Sequence, residues 1–201
     1  SVSGDISQIS EILSALVFYM GVVILGLFVH MGITYMTLLR IFTTMDIKHF
    51  LKSMAPVQLL GFSTSSSGAT LPVTMKRCEK DLGISEEISS FVLPLGATIN
   101  MDGTALYQGG AAVFIAQAVG MDLTLANQFT IVATAVLASI GTAAVPGAGI
   151  IMLIIILEAI NVPSEGIALI LGVDRILDMI RTATNVTGDA TVASVMDSLE
   201  R

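Results

Sequence analysis

One stretch of the sequence decides the fold: Asp174-Arg-Ile-Leu-Asp-Met-Ile-Arg-Thr-Ala-Thr-Asn-Val-Thr-Gly-Asp189. It follows an apolar run, and polar side chains recur at positions 174, 178, 181, 185 and 189. At 100° per residue these positions fall within about 80° of one another on a helix. The sequence therefore predicts one helix with a single polar stripe that carries both signs of charge.

The composition indicates a membrane protein. Of 201 residues, 54% are hydrophobic and 12% are charged, whereas soluble domains carry about 25% charged residues. The net charge of −7 is less informative than the positions of the charges, because charged groups at membrane depth are costly and mark functional sites. The single cysteine, Cys78, cannot form an intrachain disulfide. We predict an all-α integral membrane protein that crosses the membrane several times.

The basic residues predict a topology. All nine Lys and Arg residues lie at or after position 40, and none lies between 81 and 174. With basic residues kept on the inner side, Ser1 is expected outside and Arg201 inside. The predicted order is a transmembrane helix (11–40), a re-entrant hairpin from the cytoplasm (46–80), a broken transmembrane helix (86–120), a re-entrant hairpin from outside (124–161) and a transmembrane helix (165–198).

Three apolar segments are interrupted by Gly, Ser, Asn or Pro, within 61–70, 96–104 and 139–149. Non-helical backbone at membrane depth is tolerated only where it lines a cavity or is buried in protein. Two sets of a span, a hairpin and a broken helix in opposite orientation indicate an inverted-topology repeat, which is typical of a secondary transporter. A channel is disfavoured because the polarity is concentrated at one level, and a hydrolase because no His lies near the serines.

The polar residues at that level suggest two kinds of ligand. The forked guanidinium of Arg181 suits a carboxylate. Asp178, one turn away, either pairs with Arg181 or receives a substrate ammonium. His30 lies in an apolar span and is expected to be a packed interior residue rather than a proton relay. Side chains with oxygen ligands suit Na⁺ or another hard cation: Asn100, Asp102, Asn185 and Asp189.

The chain resembles the sodium/dicarboxylate symporter family, the glutamate/aspartate transporter homologues, over essentially its whole length. Four motifs in family order carry the resemblance: Ser65-Ser-Ser-Gly-Ala-Thr-Leu-Pro72, Pro94-Leu-Gly-Ala-Thr-Ile-Asn-Met-Asp-Gly-Thr-Ala-Leu-Tyr107, Ala138-Ser-Ile-Gly-Thr-Ala-Ala-Val-Pro-Gly-Ala-Gly149 and Asp178-Met-Ile-Arg-Thr-Ala-Thr-Asn-Val-Thr-Gly-Asp189.

The resemblance implies a sodium-coupled symporter of L-glutamate or L-aspartate, not an enzyme, that works by elevator-like movement. Residues 1–201 would form part of the transport domain, with the N-terminal scaffold helices absent. The second hairpin would be the extracellular gate. The intact protein would be a homotrimer in the plasma membrane, the inner membrane of a bacterial cell, with no organic cofactor and no nucleic-acid partner.

The resemblance also implies substrate contacts. Arg181 would bind the side-chain carboxylate with help from Thr104, and Asp178 would bind the amino group. Asn185 and the backbone of both hairpin tips would bind the main carboxylate. The substrate-binding candidates are Ser66, Ser67, Thr104, Val145, Gly149, Asp178, Arg181, Thr182 and Asn185.

Three Na⁺ sites are implied in the same way. The first uses Asn100, Asn185, Asp189 and carbonyls near Gly96. The second uses carbonyls near Thr98 and those of Ser139, Ile140 and Thr142. The third uses Asn100 and Asp102 with groups from an earlier helix that precedes this portion.

Three positions bear on how far the resemblance extends. Archaeal members carry Arg where this chain has Ser65, and Arg175 is a candidate for supplying that charge. Gln108 replaces an acid of the animal proton-coupled members, which argues against proton cotransport and potassium countertransport. Asp189, an Asn in proton-coupled bacterial relatives, favours Na⁺. The alternatives are a symporter of C4-dicarboxylates or of neutral amino acids.

Overall fold

A computed structural model of the chain describes the backbone of residues 2–200 and the side chains of residues 10–200. Within those residues every regular element is helical and no β-strand is present, which confirms the predicted all-α class. A helix satisfies its own backbone polar groups, so long apolar segments favour it. The locations predicted for Ser1 and Arg201 fall outside the described residues.

The helices follow one another along the chain with short connections. Their bounds are α1 Val2–His30, a π-helical turn Met31–Tyr35, α2 Met36–Phe42, α3 Ile47–Thr64, α4 Ser67–Lys80, α5 Glu86–Ile99, α6 Asp102–Ala118, α7 Leu125–Ile140, α8 Ala148–Ala159, a 3₁₀ segment Ser164–Leu169 and α9 Leu171–Glu200. The helix predicted over 165–198 differs at its start, because α9 begins only at Leu171.

Three helix breaks fall within the three interrupted segments of the sequence. Ser65 ends α3 in the left-handed region with φ 51°, and Ser66 caps α4 by accepting a hydrogen bond from the Ala69 N–H at 3.1 Å. Asn100 ends α5 with φ −95° and ψ 70°. Gly147 precedes α8 with φ 76°, a conformation that glycine adopts without steric cost.

The core lies on both sides of a polar level along α9. Helix α9 contacts α1, α2, α3, α4, α5 and α6. Near its start, Leu177 joins an apolar cluster with residues of α1, α6, α7 and α8. Further along, Val186 and Ala190 join a second cluster with residues of α2, α3, α4 and α5. The polar residues of α9 between Leu177 and Val186 therefore lie between two buried apolar clusters.

One helical stretch of the described residues, Ser10–Phe42, is long and apolar enough to cross a membrane, and its most apolar 18-residue window has a mean hydropathy of 2.6. Only 17% of its most apolar window is buried inside the chain, and large side chains such as Phe18 and Leu25 are exposed on it. The apolar helices Leu125–Ile140 and Ala148–Ala159 are shorter.

Candidate functional site

A cavity of about 20 Å³ lies where the three helix breaks meet the polar stripe of α9, and a space of this size holds about one water molecule. Its lining residues are Ser65, Ser67, Met101, Thr104, Thr142, Ala143, Ala144, Val145, Gly149, Asp178, Arg181, Thr182 and Asn185. Eight of the nine predicted substrate-binding residues are among them. The ninth, Ser66, caps α4 beside the cavity and donates from Oγ to the Ala144 carbonyl at 2.7 Å.

Helix N-termini surround this cavity. Ser67 is the first residue of α4, Thr104 is in the first turn of α6, and Gly149 is in the first turn of α8. The free N–H groups and the helix dipole at such ends favour anions. Gly149 also lies close to α9, because a Cβ there would be 2.7 Å from Cζ of Arg181.

Arg181 is held on several sides and retains one unused donor. Its side chain is 3% exposed, and its Nε and Nη2 each donate to Oδ1 of Asp178 at 2.9 Å. Cζ lies 4.4 Å from the centroid of the Tyr107 ring, a distance at which a cation is attracted to the ring face. Nη1 is buried, and no side chain or backbone group of the described residues accepts a hydrogen bond from it.

Asp178 connects α9 to the start of α8. Besides pairing with Arg181 through Oδ1, its Oδ2 accepts a hydrogen bond from the Gly147 N–H at 2.9 Å. Of the two alternatives for Asp178, the structure has the pair with Arg181. Its role toward a substrate ammonium stays a prediction.

Asn185 connects α9 to the start of α6. Its Nδ2 donates to Oγ1 of Thr104 at 3.0 Å, and its Oδ1 accepts from the Gly103 N–H at 2.9 Å. Gly103 allows this approach, since a Cβ there would be 2.8 Å from Oδ1 of Asn185.

A second polar group lies one turn further along α9. Asn100 donates from Nδ2 to Oδ1 of Asp189 at 3.0 Å. Asp189 is 3% exposed and lies against Gly96, where a Cβ would be 2.7 Å from Oδ1. All three residues line a cavity of about 280 Å³. A carboxylate and an amide oxygen beside the carbonyl end of α5 form the kind of oxygen-rich environment that hard cations prefer.

The residues predicted for the second Na⁺ site lie at two helix C-termini. Thr98 is in the last turn of α5, and Ser139 and Ile140 end α7, which contacts α5. The last carbonyls of a helix lack intrahelical partners and carry partial negative charge, so they favour a cation. Thr142, two residues after Ile140, lines the first cavity.

Asp102 faces the first helix rather than the first cavity. Its Oδ2 lies 2.7 Å from Nε2 of His30 and accepts a hydrogen bond from Oη of Tyr35 at 2.6 Å. His30 was expected to be a packed interior residue, but its side chain is 22% exposed and contacts this carboxylate. Sequence reasoning missed Tyr35 and Tyr107, since a tyrosine in an apolar helix is usually part of the core.

The structure also describes the positions at which the chain departs from the family pattern. Ser65 is 2% exposed, and its Oγ has no hydrogen-bond partner among the described residues. Arg175 is exposed and does not line the cavity beside Ser65. Gln108 is buried and donates from Nε2 to the Gly149 carbonyl at 3.0 Å, so it supports the N-terminus of α8.

The chain is similar to known proteins over nearly its whole length. Residues 3–199 match the model of the sodium:dicarboxylate symporter family. The chain is 43% identical over 202 residues to mouse excitatory amino acid transporter 3, covering 100% of this chain and 39% of that protein.

Two further relatives are similar to it. The excitatory amino acid transporter of Caenorhabditis elegans is 40% identical over 192 residues, covering 96% of this chain and 38% of that protein. Human excitatory amino acid transporter 2 is 42% identical over 183 residues, covering 91% of this chain and 32% of that protein. The chain thus spans two fifths or less of the length of these relatives. With its all-helical fold and the matched residues 3–199, the chain belongs to the sodium:dicarboxylate symporter family, a family of membrane transporters rather than enzymes.

Proposed function

We propose that the intact protein is a sodium-coupled symporter of the acidic amino acids L-glutamate or L-aspartate, working by elevator-like alternating access. One observation carries the proposal: Arg181 lines a cavity bordered by helix N-termini, and its buried donor Nη1 has no acceptor within the described residues. A buried charged donor without a partner is costly, so a ligand carboxylate is the group expected to satisfy it. The names of the mouse, nematode and human relatives, excitatory amino acid transporters, support the substrate class.

Each end of the substrate has a proposed partner. Arg181 and Thr104 bind the side-chain carboxylate, and Asp178 binds the ammonium. Asn185 binds the main carboxylate together with the N-termini of α4 and α8. The remaining proposed contacts in the walls of the same cavity are Ser67, Val145, Gly149 and Thr182, and Ser66 lies beside it.

Sodium is the proposed co-substrate and uses oxygen ligands on the other side of the helix breaks. One ion is bound by Asn100, Asn185 and Asp189 with carbonyls near Gly96. A second is bound by the C-terminal carbonyls of α5 and α7, at Thr98, Ser139, Ile140 and Thr142. A third is bound by Asn100 and Asp102. In this arrangement helix N-termini face the substrate carboxylates and helix C-termini face the sodium ions. The helix dipoles therefore favour both kinds of charge.

The α3–α4 and α7–α8 pairs are proposed to be re-entrant hairpins that enter the membrane from opposite sides as parts of an inverted repeat. Their tips contact one another, since Oγ of Ser66 donates to the Ala144 carbonyl at 2.7 Å and the Gly68 N–H donates to it at 3.4 Å. A cavity of about 20 Å³ is far smaller than the 300–1,000 Å³ of usual ligand sites. We propose that the α7–α8 tip is the gate and that these two hydrogen bonds break when it opens.

The wider setting is part of the proposal. Residues 1–201 form part of a transport domain in a multi-pass protein of the plasma membrane, the inner membrane of a bacterial cell. The intact protein assembles as a homotrimer through other segments.

Two alternatives fit the site less well. In a C4-dicarboxylate symporter, Asp178 would face a substrate without an ammonium and would repel it. A neutral amino acid leaves Nη1 of Arg181 without an acceptor.

A binding screen on the purified intact protein tests the proposal. Aspartate, glutamate, succinate and serine are titrated in sodium chloride and in choline chloride at equal ionic strength. We expect aspartate or glutamate to bind only with sodium, and succinate and serine at least about tenfold more weakly, the value of one lost interaction of about 1.4 kcal/mol. Succinate binding equal to that of aspartate would favour the dicarboxylate alternative, and sodium-independent binding would refute coupling.

A further inference from the structure

The first transmembrane segment contains a π-helical turn, Met31–Tyr35, between α1 and α2. Residues five apart are rotated by about 140° in an α-helix at 100° per residue. A π turn forms its hydrogen bonds between residues five apart, which brings such residues toward the same face. His30, which precedes the turn, and Tyr35, its last residue, accordingly both contact Oδ2 of Asp102, at 2.7 Å and 2.6 Å. Single π turns occur frequently at functional sites.

The contacts around Asp102 occupy both of its oxygens. Oδ1 accepts a hydrogen bond from the Gly103 N–H at 2.9 Å, while Oδ2 is shared by Tyr35 and His30. The other ring nitrogen of His30, Nδ1, lies 3.1 Å from Oγ1 of Thr34. The two rings lie edge to face with centroids 4.9 Å apart. The carboxylate is therefore fixed in orientation by two side chains of the first segment and one backbone group.

Tyr35 also lies beside the other proposed sodium ligands. A Cβ at Gly188 on α9 would be 2.6 Å from Oη of Tyr35 and 3.0 Å from Nδ2 of Asn100. Glycine at this position thus allows the tyrosine hydroxyl and the Asn100 amide to approach the same point of α9. Tyr35 is 3% exposed, so water does not readily replace Asp102 as the hydrogen-bond partner of its hydroxyl.

We propose that Tyr35 and His30 are positioning residues that hold the Asp102 carboxylate for sodium and thereby set the sodium affinity of the site formed by Asn100 and Asp102. The inference rests on the proposed function and goes beyond it by assigning a role to the π turn. Hydrogen bonds to a ligating carboxylate orient it for the ion, and loss of such a bond typically costs 10–100-fold in metal affinity.

Tyr35→Phe in the intact protein is the test, because it removes only Oη and keeps the ring. Sodium is titrated, with choline chloride holding the ionic strength constant, and two signals are recorded: aspartate binding and the thermal stability of the purified protein without aspartate. We expect the half-saturating sodium concentration to rise about tenfold in both signals, with aspartate affinity at saturating sodium within about twofold of wild type.

Tyr19→Phe is the matched control. Tyr19 lies on α1 in the same helical stretch Ser10–Phe42. It is 4% exposed and stacks on Phe114 with centroids 4.8 Å apart, but its hydroxyl has no hydrogen-bond partner among the described residues. Tyr19→Phe should have the same half-saturating sodium concentration as wild type. His30→Gln retains an amide that can donate to Asp102 and should shift the sodium titration less than His30→Ala does.

Three results distinguish the possible failures. A sodium titration of Tyr35→Phe equal to that of wild type, in a wild type that requires sodium, overturns this inference alone. If Tyr35→Phe weakens aspartate binding at saturating sodium as much as it weakens sodium binding, the hydroxyl is merely structural. This result also overturns the inference. A wild type that binds aspartate without sodium overturns the proposed function, and the inference with it.

Discussion

Replacing Gly149 by alanine is expected to abolish high-affinity binding of acidic substrates through a single methyl group. The Cβ would lie 2.7 Å from Cζ and 2.8 Å from Nη2 of Arg181, whereas carbon atoms in contact are usually 3.5–4.0 Å apart. The guanidinium must therefore move by about 1 Å. It has little room, because Asp178 binds two of its nitrogens at 2.9 Å and the Tyr107 ring lies 4.4 Å from Cζ.

The size of the effect follows from the contact that is displaced. A hydrogen bond to a charged group contributes about 1.5–3 kcal/mol, and each 1.4 kcal/mol corresponds to a factor of about ten in the dissociation constant. Losing one such bond between Arg181 and the substrate carboxylate should weaken aspartate binding about 10–150-fold.

The assay is equilibrium binding of labelled aspartate to the purified intact protein at saturating sodium, with thermal unfolding recorded for each variant. Gly172→Ala is the matched control, since a Cβ at this helical glycine meets no atom within 4 Å, and alanine is a better helix former than glycine by about 1 kcal/mol. It should bind aspartate like wild type. Gly149→Ala binding within about twofold of wild type, in a folded protein, would refute the proposed position of the carboxylate at Arg181.

The remaining predictions concern the charge, the cation and the gate. Arg181→Cys should abolish aspartate and glutamate uptake and admit neutral amino acids, while Arg175→Cys on the exposed side of α9 should not; undiminished aspartate uptake by Arg181→Cys would contradict the assignment. Asp189→Asn removes a buried charged oxygen ligand and should raise the half-saturating sodium concentration of uptake by at least about tenfold, and an unchanged sodium titration would reject its ligand role. Ser66→Ala removes both the α4 cap and the hydrogen bond to Ala144, so thermal unfolding should show a loss of about 1–2 kcal/mol, whereas a stability equal to wild type would show that the tips are held together by other contacts.

Local sequence patterns predicted several features because they depend on neighbours in the chain. The spacing of Asp178, Arg181, Asn185 and Asp189 depends only on helical geometry, and α9 has these residues buried on one continuous helix. The three interruptions contain Gly, Ser, Asn or Pro, and the breaks occur within them. The four motifs are specific enough to identify the family from the sequence alone.

The partners of these residues were decided only by the tertiary structure. Whether Asp178 pairs with Arg181 or stays available depends on the rotamers that α8 and Tyr107 impose. The contact of both His30 and Tyr35 with one oxygen of Asp102 depends on the π turn between α1 and α2, which no local residue pattern predicts. The sequence by itself thus determined which polar side chains share a face of α9, because helical periodicity acts locally. Only packing between distant helices decided which of those charges are already paired and that Nη1 of Arg181 is the donor still without an acceptor in the described residues.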